Sequence, residues 1–265
     1  MMRNEIIEGI GSITKGEYDV IKIEGISKIK ENVICNNLHV EGLLKVKGKV
    51  NTQIFNCEGI TRSFGNINAK EVEINGVLKL RRAKLECDLI NCDGIIVCNK
   101  EISSDEIYID GACSVKRMYG DKITIKNESN HITEQKIPRA ILPFCYWYFG
   151  RKLSLSHSII DNIECTELVA NNLKAKVVKA QNITLGENCE IDRIECSGEL
   201  KYHDSCKIDK ISASKMKKQD EEQCKKKFKN NVDESILKID NMVKEGTLTR
   251  EEGRKMINSI ERKIY

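Results

Sequence analysis

Ile21-Lys22-Ile23-Glu24-Gly25-Ile26 returns, with its chemistry kept, as Leu38-His39-Val40-Glu41-Gly42-Leu43 and as Phe55-Asn56-Cys57-Glu58-Gly59-Ile60. It returns again as Val72-Glu73-Ile74-Asn75-Gly76-Val77, Ile90-Asn91-Cys92-Asp93-Gly94-Ile95 and Ile107-Tyr108-Ile109-Asp110-Gly111-Ala112. From Gly25 to Gly42, Gly59, Gly76, Gly94 and Gly111 the steps are 17, 17, 17, 18 and 17, and Glu8-Gly9, one step earlier, opens the series. A fixed period of this size marks a solenoid, in which each repeat is one coil that buries its apolar face only by stacking on the next.

The columns of the repeat identify the coil. Four residues before the glycine stand Ile21, Leu38, Phe55, Val72, Ile90 and Ile107; two before it stand Ile23, Val40, Cys57, Ile74, Cys92 and Ile109. Polar residues lie between them, so apolar and polar positions alternate with period two, the signature of a half-buried strand. An apolar residue also follows each glycine. This predicts that the alternation changes phase there and that the chain turns a corner on a left-handed or bulged glycine. Past the corner, Ile29, Val46, Leu80, Cys98 and Val115 are expected inside, with Ser63 a lapse that neighbouring Phe64 could fill; Lys28, Lys45, Arg62 and Lys79 are expected outside. A coil of 17 residues is too short for a strand plus a helix and suits two or three short strands bent around a narrow core. The expected fold class is therefore an all-β solenoid, a β-helix, followed by a short C-terminal α-helical hairpin.

Composition agrees. Hydrophobic residues make up 40% of the 265-residue chain and aromatic residues only 5%, which fits a thin core of stacked aliphatic and sulfur side chains. From Lys201 onward 17 Lys/Arg face 12 Asp/Glu, a net +5, while the preceding residues hold 27 against 28, a net −1. Basic character thus belongs to the tail. The 12 cysteines read as core residues, because Cys57, Cys92 and Cys98 fall in inward columns and free Cys behaves as a small buried hydrophobe. No pair has C-x-x-C spacing and the chain has four histidines, so no metal, cofactor or disulfide framework is expected. The opening MMRNEIIEG lacks a signal-like apolar core and no apolar run of membrane-spanning length occurs. The expected location is cytoplasmic, with peripheral contact at the inner face of the membrane as an option.

Four segments follow in order: coils with the glycine ladder over 1–126, an insertion over 127–156, further coils over 157–212, and a basic linker with two helices over 213–265. The insertion holds both prolines, Pro138 and Pro143, and five of the 13 aromatics, Phe144, Tyr146, Trp147, Tyr148 and Phe149, beside Arg151. It reads as a flap on the solenoid or as a contact surface, since aromatic residues and Arg dominate interface hot spots. After His157 the alternation resumes; Ile163 to Ala180 and Leu168 to Leu185 are again 17 apart, which suggests two to three more coils. Asn171-Asn172, Gly186, Asn188 and Gly198 supply corners. Whether these coils continue the first stack is open at this level. In the tail, Val232, Ile236, Ile239 and Val243 recur at helical spacing with Gly246 as a cap. Thr249-Arg250-Glu251-Glu252 forms a capping box before Met256, Ile257 and Ile260. Two such helices hold little core, so Ile236, Ile239, Val243, Leu248, Ile257 and Ile260 are candidates for contact with the solenoid or with another copy.

The coils, with their Asx/Glu-Gly corners, resemble the bactofilins, bacterial proteins whose right-handed β-helix polymerises into cytoskeletal filaments. Ile163-Glu164-Cys165, Ala175-Lys176-Val177-Val178 and Ile183 to Ile191 are similar to the longer bactofilin-like proteins of Gram-positive bacteria. The resemblance implies a right-handed solenoid that assembles without nucleotide and positions partners at the cell envelope or a motility apparatus. The tail resembles the short C-terminal oligomerisation domain called SHOCT through Gly246-Thr247-Leu248-Thr249-Arg250-Glu251-Glu252. An apolar residue usually follows that second Glu; Gly253 stands here, which predicts a less stable helix pair.

The leading functional expectation is a non-enzymatic, self-associating scaffold whose partner is itself, because open ends of a β-helix template further copies. An enzyme acting on polysaccharide or acyl groups is the alternative. The Glu24, Glu41, Glu58, Asp93, Asp110 column could cluster carboxylates, but the adjacent Lys28, Lys45, Arg62, Lys79 column is expected to neutralise it. No catalytic residue is assigned. A third reading is a membrane or nucleic-acid adaptor using Lys215, Lys217, Lys218, Lys225, Lys226, Lys227 and Lys229. The run lacks interleaved aromatics, which disfavours nucleic acid.

Overall fold

The computed structural model describes residues 2–127, 154, 157–219, 236–244 and 248–261, without the side chains of 216–219 and 258–261. It is a parallel β-solenoid of about 11 turns, with two short helices at the C-terminus. The first coils alternate long and short strands: β1 (Arg3–Ile7), β2 (Ile10–Ile13), β3 (Gly16–Ile23), β4 (Ile26–Ile29), β5 (Val33–Val40), β6 (Leu43–Val46), β7 (Val50–Cys57) and β8 (Ile60–Ser63). Then come β9 (Ile67–Asn68), β10 (Glu71–Ile74), β11 (Val77–Leu80) and β12 (Leu85–Cys92). From there the two strands of a coil run together, as β13 (Ile95–Ile109), β14 (Ala112–Ile125), β15 (Ser158–Ala170), β16 (Leu173–Leu185), β17 (Glu190–His203) and β18 (Lys207–Gln219).

Each coil lies in parallel register on the last. Ile21, Leu38, Phe55, Val72, Ile90 and Ile107 pair in succession, as do Ile23, Val40, Cys57, Ile74, Cys92 and Ile109. All twelve are buried to 1% exposure or less, a single dry stack in which every coil covers the core of its neighbour.

The glycine corner works differently from the sequence expectation. Ile23 is inside, Ile26 is 46% exposed, and Ser27 and Ile29 are inside. Alternation therefore runs through Gly25 without a change of phase, and the residue after each glycine faces out in the first coils. The phase slips instead in the middle of the long strand, where Cys35 and Leu38 are both inside and Asn36 and Asn37 both face outward. One turn from Ile21 to Leu38 takes an odd number of residues, so a period-two pattern has to slip an odd number of times in each turn, and it does so at this bend. No ladder glycine has a φ in the left-handed region. What the position requires is the absence of a side chain: a Cβ on Gly42 would lie 2.0 Å from the Gly25 carbonyl oxygen and 2.4 Å from that of Glu24. Two successive amides, Glu41 N and Gly42 N, donate to the single carbonyl of Ile23 at 2.9 and 3.0 Å, and Gly59, Gly76 and Gly94 repeat the arrangement. This doubled bond pulls the glycine onto the coil below.

Other expectations are corrected. Ser63 itself sits inside with no exposure, between Val46 and Leu80, its hydroxyl donating to the Gly65 carbonyl. Phe64 stays at the surface under the Lys45 ammonium, 5.4 Å from the ring centroid. Lys79, expected outside, is 3% exposed. The later coils are shorter than the first ones, although the sequence suggested an equal repeat: Leu168 pairs with Ile183 and not with Leu185, and Ile163 with Val178 and not with Ala180. There are four strands after His157, and β18 runs to Gln219, so the solenoid passes beyond residue 212 and Lys215, Lys217 and Lys218 belong to its last strand.

The second set of coils continues the first. Ser114 pairs with Ile159 and Ile125 with Ala170, so the chain returns at Ser158 directly onto the coil it left at Ile125. Asparagine takes over the special backbone in this half. Asn127, Asn172 and Asn188 have φ of 38°, 49° and 53°, the left-handed region that Asn tolerates. Their side chains form a ladder, Asn172 Nδ2 donating to the Asn127 carbonyl at 3.0 Å and Asn188 Nδ2 to Asn172 Oδ1 at 3.2 Å.

Candidate functional site

Three features carry the candidate chemistry: the two solenoid ends and the face on which the helices rest. Among the described residues β1 pairs only with β3, β2 only with β4, and β18 only with β17. The outer edges of these strands thus hold backbone groups that no described strand pairs, and such edges template further strands. The ends differ in what lies inside them. At the first coil Arg3 is in register with Tyr18; its guanidinium stands 4.6 Å from the ring centroid and donates to the Tyr18 hydroxyl at 2.7 Å. A charged group thus lies over part of the core, while Ile6 and Ile10 are 61% and 88% exposed beside it. At the last coil Ile208 and Ala213 pack on the core but stay partly open, and Ile211 is 37% exposed although its partner Ile194 is fully buried. This is an apolar cross-section ringed by exposed Lys207, Lys210 and Lys215.

The helices are α1, over residues 236–244, and α2 (Arg250–Glu261). They pack on the solenoid's own outer face. Ile239, Leu248 and Met256 are buried against Leu89 and Tyr108, with Ile54, Ile236, Val243 and Ile257 around them. Lys238 reaches Glu106 at 3.3 Å. The docking column Val20, Asn37, Ile54, Glu71, Leu89 and Glu106 consists of the second of the two outward residues at each phase slip. Its apolar members were the signal for a covered face. The capping box forms as expected: Glu252 N donates to Thr249 Oγ1 at 3.2 Å and Thr249 N to Glu252 Oε2 at 2.9 Å. Gly253 packs closely on α1, where a Cβ would lie 2.3 Å from Val243 Cγ2.

Phe144, Tyr146, Trp147, Tyr148, Phe149 and Arg151 lie outside the described residues, as do Val232, Gly246, the lysines from 225 to 229 and the side chain of Ile260. In the carboxylate column Glu24 and Glu41 are paired, and by Lys22 and His39 instead of the lysines past the corner. Lys22 bridges Glu24 at 2.6 Å and Glu41 at 3.3 Å, and His39 meets Glu41 at 2.8 Å. Hydrogen bonds from His39 and then Lys22 hold the Glu41 carboxyl below its usual range. The ten described cysteines form no disulfide with one another, and among the described residues no three His, Cys, Asp or Glu side chains gather to hold a metal. Burial pushes the Cys57 thiol up to about 11 and those of Cys87 and Cys165 to about 12, away from thiolate chemistry. No described helix is long and apolar enough to cross a membrane.

Beneath the helices Glu71 is 1% exposed. Burial, with the nearby Glu252 and Asp88 carboxylates adding to it and Lys70 and Lys238 opposing, raises its carboxyl to about 7. With the helices lifted, the group would return toward its ordinary 4.5. Docking is therefore favoured in full below about pH 4.5 and loses this contribution as pH rises through about 7. Hydrogen exchange of the α2 amides should accelerate between pH 5 and 8 beyond the intrinsic dependence, and Glu71→Gln should abolish the excess; an unchanged excess would refute the coupling.

Comparison of the chain with protein-family models, with curated proteins and with solved structures finds no match.

Proposed function

We propose that the protein is a non-enzymatic scaffold that assembles by stacking the end of one solenoid on the beginning of another, without nucleotide. The observation that carries this reading is the last coil, whose outer strand edge no described strand pairs and which borders a half-open apolar cross-section at Ile208, Ile211 and Ala213. Charge supports a head-to-tail order. The strand β18 holds five lysines against Asp209, while the first two strands and the residues between them hold Glu5 and Glu8 against Arg3. Stacking one upon the other is a heterologous contact that does not close, and such contacts generate filaments. The bactofilin-like coils favour the same reading and extend it to a cytoplasmic element, peripheral at the inner face of the membrane, that positions envelope or motility proteins. The helix pair fits as a lateral attachment, because it docks on the side of the solenoid and leaves Ile211 exposed.

Sedimentation velocity of the full chain over a hundredfold concentration range, with no nucleotide added, tests the reading. Weight-average mass should climb with concentration and fall with added salt, because the charged rims are screened. A monomer at every concentration and salt would contradict it.

A further inference from the structure

Between α2 and the outer faces of β5, β7 and β10 lies a cavity of about 360 Å³. Its apolar wall is Ile54, Leu248 and Met256, and its polar groups include Asn56, Glu71 and Glu252. Neither Glu71 oxygen has a hydrogen-bond partner among the described residues, although the residue is 1% exposed. The Asn56 carbonyl oxygen is likewise buried and unpartnered, its amide nitrogen being turned to Glu73 Oε2 at 3.5 Å. Glu252 commits Oε2 to the helix cap through Thr249, at 2.9 Å from the backbone nitrogen and 2.6 Å from the hydroxyl. Glu71 and Asn56 thus present three acceptor atoms that no described donor reaches. Buried polar groups without partners are costly, and the arrangement is complementary to a donor-rich cation.

We propose that this cavity binds a guanidinium group, with the two Glu71 oxygens taking its fork, Asn56 Oδ1 taking a further N–H, and its alkyl stem lying along Ile54, Leu248 and Met256. A guanidinium matches a carboxylate with two parallel hydrogen bonds and loses less hydration on burial than an ammonium. A metal ion fits poorly, since no three ligating side chains come together among the described residues. The charged groups facing Glu71 are Glu252 from α2, Lys238 from α1, and Lys70 and Asp88 from the solenoid. Lys22, His39, Glu41, Glu73 and Lys255 line the remainder of the cavity. Near neutral pH the Glu71 carboxyl is partly protonated, so binding transfers its proton to the buffer and leaves a carboxylate–guanidinium pair. Affinity therefore rises with pH through about 7.

Isothermal titration of the full chain with agmatine, at pH 6.5 and pH 8 in buffers of different protonation enthalpy, tests this. Saturable binding, proton release at pH 6.5 and tighter binding at pH 8 are expected. Glu71→Gln should weaken binding by roughly tenfold or more, Asn56→Ala by severalfold, and butylamine should bind at least roughly tenfold more weakly than agmatine. Far-UV circular dichroism unchanged in both variants excludes loss of fold as the cause. A capped Gly-Arg-Gly peptide distinguishes the source: tighter binding than agmatine assigns an arginine side chain of a partner, weaker binding a free small molecule. No saturable heat with either probe, or equal affinity in Glu71→Gln, would overturn the proposal.

Discussion

Gly59→Ala is expected to destabilise the solenoid by about 4 kcal/mol or more, at the far end of what single substitutions do. The added methyl would lie 2.1 Å from the Gly42 carbonyl oxygen, 2.3 Å from that of Glu41 and 2.5 Å from its carbonyl carbon. All three are backbone atoms, so no rotamer relieves the clash and the coils have to part. Parting them strains the bonds that hold the corner, Glu58 N and Gly59 N to the Val40 carbonyl at 2.9 and 2.8 Å and Ile60 N to the Gly42 carbonyl at 2.9 Å. In a solenoid each coil is stabilised by its neighbours alone, so protection from hydrogen exchange should collapse first around β7 and β8. Gly9→Ala is the matched control. It holds the same place in the repeat with no described coil beneath it, and a Cβ there meets nothing within 4 Å. Its cost should stay within about 0.5 kcal/mol. Urea unfolding monitored by circular dichroism measures both, and equal costs would show that the glycines are not selected by coil-to-coil contact.

Ile211→Asp is expected to leave the fold intact and abolish assembly. Ile211 is already 37% exposed, so a carboxylate there can stay hydrated in the monomer. In a stack it would be taken out of water at the seam with the next copy's first coil, where burying a charge costs several kcal/mol and a contact carried by a single strand edge has little to offset it. A loss of about 1.4 kcal/mol already lowers the association constant tenfold, so the variant should remain monomeric at concentrations where the parent chain forms oligomers. Leu237→Asp provides the comparison: Leu237 is 59% exposed on α1, away from both ends of the solenoid, and assembly should persist. If Ile211→Asp assembles normally while Leu237→Asp does not, copies meet through the helices and not through the last coil.

The repeat, its strands and its interior columns were legible in the sequence because they rest on chemistry that recurs at one spacing. Ile23, Val40, Cys57 and Ile74 can share a core only if their coils are in register, as they are. The corner was harder. The glycines suggested a left-handed backbone, yet a side chain there fails because of the backbone one full turn earlier in the chain, a tertiary contact that composition does not reveal. The place of the phase slip was open to arithmetic, since an odd period has to slip somewhere, but Asn36-Asn37 and Lys70-Glu71 look like ordinary surface pairs. For the same reason Glu71 escaped notice as a site residue. Only the helices, which bury Ile54 and Leu89 on either side of it, turn a solvated carboxylate into a buried one. Ile54 and Leu89 were the readable clue, being apolar in a column that faces outward. The shorter step from Leu168 to Ile183 was hidden by a coincidental Leu168 to Leu185 match, because the glycines that mark each coil give way to asparagines in that half.

The most direct measurement of the account is electron cryo-microscopy of the full chain at concentrations where it sediments as oligomers. With about 11 turns per chain and about 4.8 Å per turn, end-to-end stacking predicts filaments with an axial subunit repeat of roughly 50 Å, through which the strand spacing continues unbroken from β18 of one copy to β1 and β2 of the next. Discrete oligomers with both solenoid ends exposed to solvent, or filaments whose strand spacing breaks at every subunit boundary, would contradict it.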